Sequence, residues 1–282
     1  MLVTTPSNLD EAKMLSPFTS YFLVGIKGFI PNFFNTLTKD DFLKLLELKK
    51  KVILRLDVLV RERELKPYLS LIDELKDLDI YYYITDQGLL NYLLSLGLGK
   101  KTIYDPFTMI TNMMDAKTYY DLGLLAVAPS LEIPFKDILE FAVPLFYLGF
   151  GRRLMFNSKR NLVSLYKEKS GLKFSLKNLT IVEEKREDVL PIFEDKGTYI
   201  YRSYFLNNLK LIKESKNNIN FVLLDSLTLS FDTYLEIVKR AHLYLNGLTD
   251  NIDLVDLDLD IEEGFTYLDT IYQKEAIIDA KN

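Results

Sequence analysis

The run GFGRRLMFNSKRNLVSLY, residues 149–166, carries Arg152, Arg153, Lys159 and Arg160, with Ser158 among them. The chain around it is acidic, with 35 Lys and Arg against 40 Asp and Glu and a formal net charge of −5. Guanidinium forks pair with carboxylate and phosphate groups in bidentate fashion. Arg152, Arg153 and Arg160, with Lys159 beside them and Ser158 donating, could therefore hold an anionic small molecule or an RNA backbone. The alternative is a solvated turn, or arginines paired with Glu132 and Glu140.

The other reactive side chains narrow the chemistry. There is no cysteine, so thiolate nucleophiles, disulfides, cysteine-bound zinc and cysteine-held iron–sulfur clusters are excluded. The single histidine, His242, lies in the helix-periodic LEIVKRAHLYL and reads as a helix-surface or rim residue. A Ser-His-Asp triad would depend on that one residue. Carboxylates remain as acid–base candidates: Asp57, Asp86 and Glu132 above all, with Asp105 near them.

These residues need a scaffold, and the chain alternates short apolar runs with amphipathic stretches. MLVTT, SYFLVGI, VILRLDVLV, IYYYIT, KTIYD, LLAVAPS, PLFYLGF and INFVLLD read as strands. Stretches such as TKDDFLKLLELKK and SFDTYLEIVKRAHLYL read as helices between or after them. Ser7 and Thr38 are candidate N-caps, and Pro67 falls near the first turn of its helix. FLNNLKLIKES reads as helix throughout. The strands are apolar on both faces, as in a buried parallel sheet. Eight such units over about 250 residues predict a TIM-type (β/α)8 barrel. A doubly wound sheet is the rival, but no glycine-rich phosphate loop follows a strand.

The barrel is expected over residues 1–244, with a β-rich excursion at 150–203 between strands seven and eight. An acidic extension, 245–282, packs on it. Within DLDLDIEE, Asp256, Asp258 and Asp260 would share one face of an edge strand. No metal site is expected. The longest apolar runs are too short to span a membrane, and no signal peptide is visible, so a cytoplasmic location is expected. No membrane or DNA partner is called for. In a barrel the site lies at the C-terminal ends of the strands. That rule selects Arg55, Asp57, Thr85, Asp86, Asp105, Ser130 and Glu132, then the basic run.

ITNMMDAKTYYDLGLLAVAPSLEIPFKDILEF, with Asn112 at its start and Glu132 in its S-x-E, is followed by GFGRRLMFNSKRNLVSLYKE. Together these resemble peptidase family U32, the collagenase-like protease family, in its short cysteine-free Gram-positive form. GTYIYRSYFLNNLKLI and GFTYLDTIYQKE add to the likeness, which covers most of the chain. The resemblance implies a barrel core. It also implies a role as one subunit of a tRNA wobble-uridine hydroxylation system making 5-hydroxyuridine. Prephenate would then be the co-substrate and a longer U32 paralogue the partner. Arg55, Arg152, Arg153, Ser158, Lys159, Arg160 and Asn112 are the candidate anion- or RNA-binding residues. Cluster-bearing members place cysteines where Met155 and Asn161 stand here, and Asp225 is the acid nearest the end of the eighth strand. Two other readings follow: a hydrolase working through carboxylates, and a non-catalytic scaffold for the longer paralogue.

Overall fold

The computed structural model describes residues 1–182, 188–215 and 219–267. The strands are β1 (Leu2–Thr4), β2 (Tyr21–Ile26), β3 (Thr36–Leu37), β4 (Lys51–Leu56), β5 (Ile80–Ile84), β6 (Thr102–Tyr104), β7 (Ala126–Val127) and β8 (Leu145–Gly151). They continue as β9 (Leu154–Ser158), β10 (Leu179–Val182), β11 (Val189–Glu194), β12 (Thr198–Tyr201), β13 (Phe205–Asn207), β14 (Ile219–Leu224) and β15 (Ile261–Glu262). The helices are α1 (Leu9–Leu15), α2 (Lys39–Leu45), α3 (Glu62–Leu75), α4 (Gln87–Ser95), α5 (Met113–Tyr120), α6 (Phe135–Ile138), α7 (Leu162–Ser170), α8 (Leu209–Glu214) and α9 (Phe231–Leu245).

Eight strands close a ring in the order β1, β2, β4, β5, β6, β7, β8, β14, with β14 returning to β1, and every pairing in the ring is parallel. The fold is the expected TIM-type barrel, with extra strands outside the ring. Side chains alternate along each strand. One set fills the lumen, and every ring strand contributes to it: Val3, Leu23, Ile53, Tyr83, Ile103, Ala126, Phe146 and Phe221. The other set, including Phe22, Val24, Leu54, Tyr82 and Val222, packs outward against the helices. Apolarity on both faces is why the strands read as continuous hydrophobic runs.

Ring closure depends on a glycine. A Cβ at Gly149 would run into Val222 Cγ1, with Leu209 Cδ2 at 3.1 Å and the backbone oxygen of Leu223 at 3.3 Å. Leu223 lies in β14, so Gly149 lets the seventh ring strand approach the eighth. Gly149→Ala should lower the unfolding free energy by about 1–3 kcal/mol in urea denaturation, the usual cost of overpacking. A change below about 0.5 kcal/mol would show that the seam has slack.

Several local expectations are corrected. Asn8, not Ser7, caps α1, because its Oδ1 accepts from the backbone N–H of Asp10 and Glu11. Thr38 does cap α2. Pro67 lies inside α3, which begins earlier because Arg61 N–H donates to Glu64. The first residues of FLNNLKLIKES are strand β13, pairing with β8 and β15, and α8 starts only at Leu209. The Asp256–Asp260 run is not one extended face. Val255–Leu257 form a 3-10 turn, Asp258 is left-handed with φ 51°, and only Ile261–Glu262 pair as strand. Arg240 on α9 draws Asp256 aside with a hydrogen bond of 2.7 Å from Nη2. Residues 268–282, with the end of GFTYLDTIYQKE and of the 245–282 extension, lie outside the described residues.

The excursion between the seventh and eighth ring strands forms a separate antiparallel sheet, ordered β10-β11-β12-β9. It is fastened to the barrel at two corners. Asn32 donates from its backbone N–H and Nδ2 to Asp195 Oδ2 at 2.7 and 2.9 Å, while Phe33 stacks on Phe193. On the other side Arg61 Nη2 donates to the Lys159 carbonyl at 2.7 Å, and Lys159 pairs with Glu64 at 3.3 Å. The sheet thereby roofs one end of the barrel. No helix among the described residues is long and apolar enough to cross a membrane.

Candidate functional site

The lumen alternation continues past the strand ends. Arg55 and Asp57 follow Ile53 in steps of two, Thr85 follows Tyr83, Asp105 follows Ile103, and Asp225 follows Leu223. The same period that buries aliphatic side chains thus delivers charged ones to the C-terminal mouth. There they line a cavity of about 810 Å³. Its roof comes from the excursion sheet, through Met155, Phe156, Asn157, Tyr199 and Tyr201.

Arg55 is the centre of the floor. Its Nε donates to Asp57 Oδ2 at 2.9 Å, its Nη2 lies 2.8 Å from the same oxygen, and its Nη1 lies 3.6 Å from Asp225. The Phe34 ring covers the guanidinium at 3.9 Å. Burial pulls the Arg55 pKa down, but Asp57 and Asp225 outweigh it and hold it above its ordinary value. Asp57 Oδ1 is buried with no hydrogen-bond partner among the described residues.

Asp105 stands beside this group. Tyr83 donates its hydroxyl to Asp105 Oδ2, and Phe107 N–H donates to Oδ1 at 2.8 Å. Phe107 has φ 61°, a left-handed conformation that is strained for a bulky residue. That turn aims its N–H back at the carboxyl. Burial pushes the Asp105 carboxyl up to about 6, with Asp57 adding to the rise, while the Tyr83 and Phe107 hydrogen bonds oppose it. A carboxyl that titrates there can hold or release a proton near neutral pH. Burial also raises the Tyr83 and Tyr201 hydroxyls well above their ordinary value, so both remain donors.

The basic run is dispersed. Arg153 is buried at 6% exposure and pairs through Nη2 with Glu132, while its Nη1 has no partner among the described residues. Burial lowers its pKa and Glu132 opposes that. Arg152 is a stitch: Nε donates to Thr228 Oγ1 at 2.7 Å, Nη1 donates to the carbonyls of Arg202 and Ser203, and the guanidinium lies 4.0 Å from the Phe205 ring. Lys159 is the roof fastener described above. Ser158 accepts from Arg160 N–H at 3.2 Å, and the Arg160 side chain is exposed. Of the four cations, Arg152 and Arg153 line the cavity, and Arg153 Nη1 is buried there with no partner among the described residues. The pairing of Arg153 with Glu132 is the one the sequence offered as an alternative to anion binding.

Asp86 lines the cavity but works as a cap, accepting Leu89 N–H at 3.1 Å and Val60 N–H at 3.0 Å. Asn112 caps α5 through Asp115 N–H and does not line the cavity. Glu132 sits at the rim, with its side chain 55% exposed. His242 is half-buried, with Nδ1 bonded to the Phe18 carbonyl at 3.0 Å. Reasoning from sequence passed over Tyr83, Tyr199 and Tyr201. The only local signal for them is aromatic residues in the strand IYYYIT and in GTYIY.

Among the described residues no three His, Asp or Glu side chains are grouped to hold a metal ion. The cysteine-bound cluster of some U32 members does not fit either. There is no thiolate in the chain, and Met155 and Asn161 stand on the exposed edge of the roof.

Searched against curated proteins, the chain has no match. Among solved structures, the U32 peptidase Mk0906 is similar with a TM-score of 0.49 and 11% identity, over 79% of this chain and 91% of that one. The sequence model described as Peptidase family U32 matches residues 32–239, a span that runs from the loop after β2 through all the cavity residues into α9. Such a match over most of the chain settles its relationship: this protein belongs to peptidase family U32.

Proposed function

We propose that the barrel mouth binds a small ring-bearing carboxylic acid, and that the chain is a subunit of a tRNA wobble-uridine hydroxylation system. Prephenate is the co-substrate proposed for the cavity, and a longer U32 paralogue is the partner that works with this chain on tRNA. The observation that carries this reading is the buried Arg153 on the wall of the cavity, whose Nη1 has no partner among the described residues. A buried guanidinium N–H left open costs free energy until it meets an acceptor, and a carboxylate supplies one. A volume of about 810 Å³ suits a small molecule. Tyr83, Phe146, Tyr147 and Tyr199 offer ring faces, and Asp105 can take or return a proton at its Oδ atoms.

Calorimetric titration with prephenate should show binding that Arg153→Gln weakens by at least about tenfold, roughly one charged hydrogen bond. Nucleoside mass spectrometry of tRNA from a deletion strain should show loss of 5-hydroxyuridine derivatives, restored by the wild-type gene and not by Arg153→Gln. Persistence of those derivatives in the deletion, with no prephenate binding, would sink the proposal.

A second reading rests on Asp57 and Asp105, two carboxylates in one cavity of which Asp57 raises the other's pKa. Such a pair could serve peptide hydrolysis. Cleavage of casein or gelatin by the purified chain, lost in Asp105→Asn and in Glu132→Ala, would favour it.

A further inference from the structure

Helix α7 presents its apolar side to solvent. It is held to the roof sheet by polar bonds at its first turn. Leu162 N–H donates to Thr198 Oγ1 at 2.9 Å, and Val163 and Ser164 N–H donate to the Glu194 carboxylate at 2.7 and 3.1 Å. None of its residues is buried. Leu162, Leu165, Tyr166 and Lys169, at i, i+3, i+4 and i+7, share one face, and that face is exposed, Tyr166 at 59%. Half of the exposed large apolar side chains among the described residues fall between Met155 and Val189. An apolar surface concentrated in this way marks a place where something docks.

Charge indicates what docks. Residues 149–182 hold eight Lys and Arg against one carboxylate, Glu168, a net +7 in a chain whose total is −5. Arg160, Lys169, Lys173 and Lys177 form no ion pair among the described residues. Residues 250–263 are the mirror of this, with seven carboxylates and no cation. Of those seven, only Asp256 has an ion-pair partner among the described residues, Arg240. The acidic segment has exposed apolar side chains beside and within it, Leu248 and Val255, the latter 87% exposed. One chain thus carries two unlike surfaces that match in charge and are both apolar.

We propose that a second copy of this chain docks its 243–263 surface on the α7 face of the first, in a head-to-tail contact. Leu248 and Val255 then cover the Leu162, Leu165 and Tyr166 stripe, and the carboxylates meet the lysines around it. The contact is heterologous, so it makes closed assemblies only if its rotation closes. Of this stripe only Tyr166 offers a flat ring on which a base could stack, and the leucines beside it suit a protein partner better. This inference does not depend on the proposed ligand of the barrel.

The test is light scattering and sedimentation of the purified full chain. At low salt (~0.05 M) the mass should rise with concentration to twice the monomer mass or more, and at ~1 M salt the association should weaken at least about tenfold, as screening of exposed charges requires. Leu165→Glu with Tyr166→Glu breaks one surface, and Asp250→Lys with Glu263→Lys breaks the other. These side chains are exposed, so both variants should keep the wild-type circular dichroism and melting point. Each variant alone should associate at least about tenfold more weakly, the effect of losing over 1.4 kcal/mol. Mixed together they should re-form a one-to-one pair, because each retains the surface the other lacks. A chain that stays monomeric at low salt, or an association indifferent to salt and to both variants, overturns the proposal. So does a mixture that fails to pair. An RNA that binds the α7 face of a strictly monomeric chain also overturns it.

Discussion

Arg55→Met lowers the unfolding free energy by about 3–5 kcal/mol, read from urea denaturation followed by circular dichroism. The cation lies under the Phe34 ring, 2.8 Å from Asp57 and 3.6 Å from Asp225, and both carboxylates are largely out of water. Removing it leaves two buried negative charges facing each other with no counter-charge. Methionine retains much of the apolar stem, so the loss reports charge and not cavity formation. The double variant Arg55→Met with Asp57→Asn tests this, because it removes one of the stranded charges. It should recover at least about 1 kcal/mol of the loss, a coupling expected for neighbours in one network. If the single change costs under about 1 kcal/mol, or the second adds its own full cost, then the Arg55 cluster does not hold the barrel mouth together.

Asp105→Asn should make the protein more stable at pH 8 and useless in the proposed function. Burial, aided by Asp57, raises the Asp105 carboxyl from 3.8 to about 6 in the folded chain. The folded state therefore binds this proton more tightly than the unfolded state does. Its contribution to stability is complete below pH 3.8 and is lost as the pH rises through about 6. A shift of that size corresponds to roughly 3 kcal/mol at pH 8. Asparagine cannot ionise, keeps an oxygen for Phe107 N–H and offers an NH₂ to Tyr83. The variant should match wild type at pH 4 and exceed it by up to roughly 3 kcal/mol at pH 8 in urea titrations. Formation of 5-hydroxyuridine in the complemented strain should fall by about a hundredfold or more, the usual worth of a positioned proton carrier. An equal stability difference at both pH values would mean that Asp105 is ionised throughout. Full activity would remove it from the site. Stability gained where function is lost is expected of a group held out of water for use.

Much of this molecule was legible in the chain. The eight apolar runs, their order and the helices between them follow from local periodicity, and they lead to the barrel. The mouth residues Arg55, Asp57, Thr85 and Asp105 were legible for the same reason. Each lies two or four residues beyond a lumen-facing strand residue, and a side-chain period of two is a property of the extended backbone itself. The excursion between the seventh and eighth strands announced itself by breaking the strand–helix rhythm.

The use of most charges was not legible, because it depends on partners that only the fold brings near. Arg152 and Arg153 are adjacent, yet one reaches Thr228 and the other Glu132. Lys159 closes on Glu64, and Tyr199 and Tyr201 return to a cavity whose floor begins at Arg55. The Asp-rich tail alternates like a strand, but Arg240 and a left-handed Asp258 turn it aside. Backbone stereochemistry acts over a few residues, so the sequence alone determined the ring strands, most of the helices between them and the side on which each ring-strand residue points. Which charges meet is set by ring closure and by the docking of the roof sheet. The contacts of Arg152 and of the Lys159 corner join residues 50 or more positions apart, and only the tertiary structure decided them.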